Sequence, residues 1–277
     1  MNRAESAIGS TLDAISKIVP RPDKEFSGKD GLLHCAECLQ PVQVKIQFAG
    51  ETKIVRCICD CIKKRMDEAE RIAKLAVHER NRKRCFPASN MAAWTFEHDD
   101  RTNAKLSDAM TRYAENFQQF RKSGKGLLLF GNVGTGKTYY AACIANRLID
   151  NGYTVLMTNF SRLANQIQGL YDGKQEFIDS LNYYDLLILD DLGAERKSEY
   201  MQEMVFNIID SRYRAGMPFI VTTNLAANEI KKPQDVGNSR IYDRVLERCF
   251  PVEVTGASRR RAELRETYSD MKLFLGL

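Results

Sequence analysis

The residues GNVGTGKT, Gly131 to Thr138, fit the spacing G-x4-G-K-[ST] of a phosphate-binding loop, with the apolar run GLLLF before them and an Ala/Ile/Leu-patterned helix after them. Small residues let the amides of Gly131, Asn132, Val133, Gly134, Thr135 and Gly136 curl around phosphates at a helix N-terminus, where the helix dipole also favours negative charge. Lys137 then reaches the β- and γ-phosphates, Thr138 holds Mg2+, and Tyr139 completes the nucleotide-binding set. A second apolar run, in YYDLLILDDLG, ends on Asp190 and Asp191. Ligands gather at the C-terminal ends of buried parallel strands, so Asp190 is expected to hold Mg2+ through water and Asp191 to orient the attacking water. A nucleotide kinase also carries an aspartate at this place; the second acid favours hydrolysis. A third run, MPFIVTTNL, ends in Thr222, Thr223 and Asn224, polar side chains that can touch the γ-phosphate and the water, or simply cap the strand-to-loop turn.

Cysteines offer a different chemistry. CAEC supplies Cys35 and Cys38, and RCICDC supplies Cys57, Cys59 and Cys61, five of only eight in the chain. A β-rich stretch between the two groups can fold back as a hairpin and bring two thiolate pairs together, the tetrahedral S4 set that Zn2+ fills. Cys35, Cys38, Cys59 and Cys61 are the expected ligands, with Cys57 next in line and His34 adjacent. An Fe–S cluster or plain buried thiols suit the same pattern. Cys85, Cys143 and Cys249 stand alone and are expected to be ordinary buried thiols.

These residues need elements to hold them. At 277 residues and 44% hydrophobic, the chain can bury a full core and still carry a small extra module. Residues 1–30 read as a helix with Ile8, Leu12, Ile15 and Val19 on one face, then a Pro/Gly/charge-rich linker. Residues 31–61 form the cysteine module, 62–89 a charged helical linker, and 90–277 a domain of apolar strands alternating with helices, an α/β pattern with a parallel sheet. The N-terminal segment breaks the apolar run a signal peptide requires, and no stretch approaches membrane-spanning length, so a cytoplasmic protein with no membrane partner is expected. In that reducing compartment clustered cysteines hold metal more often than disulfides. A net charge of +5 permits nucleic-acid binding without demanding it.

Arg240, Arg244 and Arg248 recur every four residues in NSRIYDRVLERC, on one face of an expected helix. Such a stripe is either a solvated face or, beside a phosphate loop, a source of an arginine that reaches a neighbouring subunit's γ-phosphate. The order from Gly131 to Arg260 resembles the DnaC/DnaI-type replicative helicase loaders and the related IstB-type transposition ATPases, all AAA+ proteins. LLILDDLGAE, IIDSRYRAGMPFIVTTNL, SRIYDRVLERC and GASRR carry the likeness, which spans residues 90–262. It implies an AAA+ P-loop ATPase core with a truncated lid. It also implies Asn224 as the first sensor, Arg244 as arginine finger with Arg240 beside it, Arg260 as the second sensor, and Arg212 in SRY as a further trans-acting candidate. The cysteine module resembles the N-terminal zinc module of the DnaI branch, which grips a hexameric replicative helicase; the transposition helpers generally lack one.

The expected activity is therefore ATP hydrolysis that places a replicative helicase on single-stranded DNA, with self-association through the ATPase domain. The alternative is a transposition helper that binds DNA and a transposase. A metabolic P-loop kinase would need an acceptor-substrate motif that is not evident and would leave the cysteines without a role. For the single strand, Tyr171 offers a ring to stack on a base, and Ser198 and Tyr200 offer hydroxyls to phosphates. The basic stretch from Lys63 to Arg84 is a rival site.

Overall fold

The three apolar runs read from the sequence, with Val155–Asn159 and a further strand after the arginine-bearing helix, become neighbouring strands of one sheet in the computed structural model. It describes residues 19–48, 50–87, 90–195, 198–233, 235–258, 268 and 271–275. Ile8, Leu12, Ile15 and Arg260, expected in a helix and in a nucleotide contact respectively, lie outside the described residues. The chain divides between Val77 and His78 into two units.

The N-terminal unit contains two antiparallel strand pairs, β1 (Glu25–Ser27) with β2 (Leu33–Cys35) and β3 (Gln43–Phe48) with β4 (Glu51–Arg56). Helix α1 (Asp60–Cys85) begins inside the second cysteine group. It lacks Gly and Pro, opens on Asp60 and closes on Arg82, Lys83 and Arg84, which suits the helix dipole at both ends. Glu70–Lys74 and Glu79–Lys83 pairs four residues apart add to it along the exposed face. Among the described residues the apolar core of this unit is small, with Cys35, Val42, Cys59 and Ile62 buried in one cluster. Arg56 straps β4 to β1 through two bonds to Glu25, 2.7 and 2.8 Å, and that pairing holds the Glu25 carboxyl below the usual carboxylate range.

The second unit is built on five parallel strands in the order β6-β7-β8-β5-β9: β5 (Gly126–Phe130), β6 (Val155–Asn159), β7 (Leu186–Leu192), β8 (Phe219–Thr223) and β9 (Cys249–Glu253). Strand residues alternate between two cores. Leu127, Leu129, Leu186, Ile188 and Ile220 face α2 (Ala104–Glu115) and α4 (Lys137–Asp150), whereas Leu128, Leu187, Leu189, Phe219 and Val221 face α5 (Phe160–Gln168), α7 (Glu199–Arg214) and α9 (Val236–Arg248). Burial on both faces is why these strands read as continuous apolar runs. Strand β9 is an edge that pairs with β5 alone, with Pro251 opposite Leu128. The remaining short helices are α3 (Phe117–Ser123), α6 (Lys174–Ser180) and α8 (Ala227–Lys231). Among the described residues no helix is long and apolar enough to cross a membrane.

One expectation fails here. Arg212 is no trans-acting residue: it is 0% exposed, the largest fully buried side chain. Its guanidinium donates to the carbonyl oxygens of Pro218 (2.8 and 3.2 Å), Leu181 (3.2 Å) and Asp185 (3.2 Å). Burial pulls its pKa down to about 10. The planar fork thus joins the chain entering β7 to the chain entering β8, and it cannot reach another subunit.

Arg212→Met leaves three buried carbonyls without donors and is expected to lower the unfolding free energy by roughly 2–5 kcal/mol. Arg212→Lys should not restore it, because an ammonium cannot span the same oxygens. Urea unfolding followed by circular dichroism reads both; a stable Arg212→Met that loses hydrolysis only in assemblies would reverse the assignment.

Candidate functional site

The phosphate loop follows β5 at the C-terminal edge of the sheet and runs into α4. Its glycines are needed for space as well as conformation. Gly131 has φ 136° and a side chain there would sit 2.5 Å from the Val254 carbonyl oxygen; Gly134 has φ 84° and would meet the Ser258 hydroxyl at 2.2 Å. The start of the GASRR segment therefore lies directly against the loop. Lys137 is 5% exposed and donates to the Gly131 and Asn132 carbonyls at 2.8 and 2.7 Å. Thr135 donates to Asn132 at 2.9 Å, closing the turn. Val133 is exposed at the loop's outer surface, and the Tyr139 hydroxyl donates to the Thr95 carbonyl.

Thr138 on α4 donates to both Asp190 oxygens, 3.0 and 3.3 Å, so the two residues expected to share a metal ion already share a hydrogen bond. Thr222 on β8 donates to Asp190 Oδ1 at 2.6 Å and accepts the Asp191 amide at 2.9 Å. The β7–β8 ladder runs in register to Leu189 and Val221, then resumes at Leu192 and Thr223, so both acids stand opposite Thr222 alone. Asp191 takes the left-handed conformation at φ 59°, a backbone strain for a non-glycine residue, and its carboxylate accepts from Asn224 Nδ2 at 3.4 Å. Burial holds the Asp190 carboxyl above the usual aspartate range; the Asp191 charge adds to this, and the bonds from Thr222 and Thr138 and the Lys137 charge oppose it. The three polar residues after IV in MPFIVTTNL thus divide their work. Thr222 supports the acids from below, Thr223 donates to the Leu192 carbonyl and accepts from Leu225, and Asn224 faces Asp191.

The arginine stripe of α9 packs on α7. Arg240 lies over the Phe206 ring at 4.3 Å, and Arg244 and Arg248 lie over the Tyr213 ring at 4.5 and 4.8 Å. Arg244 Nε donates to Asp210 Oδ1 at 3.0 Å, while Arg214 pairs with the other oxygen at 2.7 Å. Asp210 is a supporting residue that motif spacing does not reveal, beyond standing four places before Arg214 on one helix face. Tyr171 is fully exposed and Tyr200 half-exposed; the Ser198 oxygen caps α7 by accepting from the Met201 amide at 3.2 Å.

In the N-terminal unit the thiols of Cys35, Cys38, Cys59 and Cys61 all lie within 4.8 Å of one another. The Cys35–Cys61 and Cys59–Cys61 sulfurs are 3.4 and 3.3 Å apart. A tetrahedral Zn2+ with bonds of about 2.3 Å needs sulfurs about 3.8 Å apart, so the donor set and its spacing fit that ion. A tight turn makes the first half, with the Leu39 amide bonded to the Cys35 carbonyl and Leu39 at φ 61°. The Gln40 amide is the main cause that pulls the Cys38 pKa down to about 7, toward the thiolate a metal requires. Gln40 also spans to the second half, accepting the Asp60 amide at 2.8 Å and donating to its carboxylate at 2.7 Å. Cys57 does not join. Its amide continues the backbone pairing to the Val42 carbonyl, and its thiol turns to the Pro41 carbonyl at 3.4 Å. His34 is likewise engaged elsewhere, by the Leu39 carbonyl and Asp30.

The family described as IstB-like ATP binding protein matches residues 64–267. The replicative helicase loader DnaI of Bacillus subtilis (strain 168) is 21% identical over 242 residues, covering 82% of this chain and 76% of DnaI. The replicative helicase loader DnaC of Buchnera aphidicola subsp. Acyrthosiphon pisum is 28% identical over 157 residues, and the match covers 55% of this chain but only 61% of that protein's length. A crystal structure of DnaI superimposes with a TM-score of 0.51 and 27% identity, covering 61% of this chain and 92% of that one.

For the metal, Cys57→Ala should retain one zinc per chain, whereas Cys38→Ala or Cys59→Ala should lose it. Elemental analysis of reduced protein is the measurement, and iron in place of zinc would assign the cluster to Fe–S chemistry.

Proposed function

We propose, for a chain that belongs to the family of IstB-like ATP binding proteins, an ATP-dependent loader that grips a hexameric replicative helicase and delivers it to single-stranded DNA. In the AAA+ domain the loop amides from Gly131 to Gly136, with Lys137, hold the phosphates of ATP, exchanging the lysine's carbonyl partners for phosphate oxygens. Thr138 and Asp190 are the residues to hold Mg2+, which when bound neutralises charge on the β- and γ-phosphates. Asp191 accepts a proton from the attacking water and aims it, with Asn224 fixing the carboxylate's direction. Arg244 and Arg240 are the proposed contacts to a neighbouring subunit's nucleotide. Arg244 is supported in this role by Asp210, which holds its Nε and so fixes the arm.

The observation that carries the loader reading is the reach of the DnaI match. A match over 82% of the chain is longer than the His78–Leu277 unit can hold, so it extends into the unit with the four-cysteine cluster. That unit is the proposed helicase-gripping adaptor, and Zn2+ the proposed occupant of its cluster. The IstB-like description of the family keeps a second reading in view, a transposition helper that engages DNA and a transposase. A stoichiometric complex with a hexameric helicase on co-purification supports the loader; one with a transposase supports the helper. Replacing Cys35 and Cys38 should abolish helicase capture and leave the ATPase unit folded.

Hydrolysis has its own test. Lys137→Ala should lose ATP binding and turnover, and Asp191→Asn should bind ATP yet turn it over about 100-fold more slowly. Normal turnover by Lys137→Ala would remove the nucleotide site from this loop.

The proposed DNA path runs past Tyr171, Ser198 and Tyr200. Tyr171 covers no apolar face, being fully exposed, which favours a stacking role. Removing one stacked base contact costs roughly 1–3 kcal/mol, so Tyr171→Ala should weaken binding of a labelled oligonucleotide about 5- to 150-fold with ATP present. Fluorescence anisotropy reads this. Unchanged affinity in Tyr171→Ala and Tyr200→Ala, with loss on neutralising Lys63 and Lys64, would move the strand to α1.

A further inference from the structure

We propose that Thr222 is a positioning residue for hydrolysis: its hydroxyl pins the bulge in which Asp190 and Asp191 both stand opposite one strand residue, and so sets the direction of both acids. The inference rests on the reading of Asp190 and Asp191 as the metal and water acids. Within that reading it adds a residue that touches neither nucleotide nor water.

Three observations carry it. First, the hydroxyl bridges the two acids: it donates its one hydrogen to Asp190 Oδ1 at 2.6 Å and accepts the Asp191 amide at 2.9 Å. One hydroxyl therefore joins the side chain of one acid to the backbone of the next. Second, Thr222 is 0% exposed, so without the hydroxyl no water could take its place; the Asp191 amide would lose this acceptor, and Asp190 would keep only the bonds from Thr138. Third, the strain is local to this bond. The ladder skips from Leu189 to Leu192, Asp191 sits at φ 59°, and the amide that the bulge removes from the ladder is the one Thr222 receives. An ordinary register would point Asp191 to the opposite face of the sheet from Asp190; the bulge lets consecutive acids serve one site. Thr223, by contrast, bonds the Leu192 carbonyl beyond the bulge and Asn224 bonds the Asp191 carboxylate, so neither can substitute.

The test compares Thr222→Val, which keeps shape and removes the hydroxyl, with Thr222→Ser, which keeps the hydroxyl and removes the methyl. Steady-state ATP hydrolysis is measured alongside binding of a fluorescent ATP analogue with and without Mg2+. Thr222→Val should lower kcat roughly 10- to 100-fold, the loss of a hydrogen bond to a charged group. Analogue affinity without Mg2+ should stay within about twofold of the parent, because the loop amides and Lys137 are untouched, while the gain in affinity on adding Mg2+ should shrink. Thr222→Ser should restore most of both. Should Thr222→Val fail to fold, Thr222→Ala against Thr222→Ser gives the same hydroxyl contrast. Parent-like kcat in Thr222→Val, or equal impairment in Val and Ser variants, overturns the proposal. Normal turnover by Asp191→Asn in the parent background instead sinks the assignment of the acids on which it rests, so the two failures are told apart.

Discussion

A carboxylate half-buried at the end of an apolar strand must be given partners before anything else at that end of the sheet can work. Leu186 to Leu189 of β7 are each 0% exposed, and the chain passes from them directly into Asp190. An ionised group so placed is costly unless hydrogen bonds and opposite charge attend it. Here the attendants come from separate elements: Thr138 from α4, Thr222 from β8 and the charge of Lys137 from the loop. Each can arrive only if its own element is in place, which is what the two apolar cores on either side of the sheet secure. A one-residue slip of β8 against β7 would turn Thr222 away from the acids and bury the neighbouring residue's side chain against the wrong layer. The cores are thus the means of holding a hydroxyl within 2.6 Å of a carboxylate.

Much of this was legible before any coordinates. The phosphate loop and the paired acids are local patterns, and continuous apolar strands declare burial on both faces, so the α/β parallel fold follows from the residues alone. What depends on register across elements was not legible. The bulge opposite Thr222 has no signature within IVTTN, because it exists only when β7 is laid beside β8. Arg212 was misread from its motif although its position argued otherwise: Val205, Ile208, Ile209 and Arg212 continue one buried face of α7. A charge on an apolar stripe with carbonyls within reach is a strut. Cys35, Cys38, Cys59 and Cys61 meet as expected, and Cys57, next in line, stays out for a related reason. Alternate cysteines point one way only while the chain stays extended, and α1 begins at Asp60, between Cys59 and Cys61.

The N-terminal unit meets its stability problem differently. Among the described residues its buried apolar cluster has only four members, less than a free-standing fold requires, and two of them, Cys35 and Cys59, belong to the sulfur cluster. Cross-links must do what packing does elsewhere. The Arg56–Glu25 fork and the Gln40–Asp60 exchange are two such links, and a metal ion joining both cysteine groups would be the third. Were that ion bound, folding and metal content would be a single property of this unit.

Strand β9 carries its own protection against unwanted pairing. The Val254 amide donates to the Phe130 carbonyl, so by alternation the even-numbered amides of this segment point inward to β5 and Pro251 faces the open side. Proline has no hydrogen to offer there. An incoming strand would find a missing donor in the middle of a five-residue edge, beside an exposed Phe250 that would otherwise invite it. Another strand is therefore denied a full ladder of hydrogen bonds along this edge, which guards it against edge-to-edge sheet joining, the route to fibres.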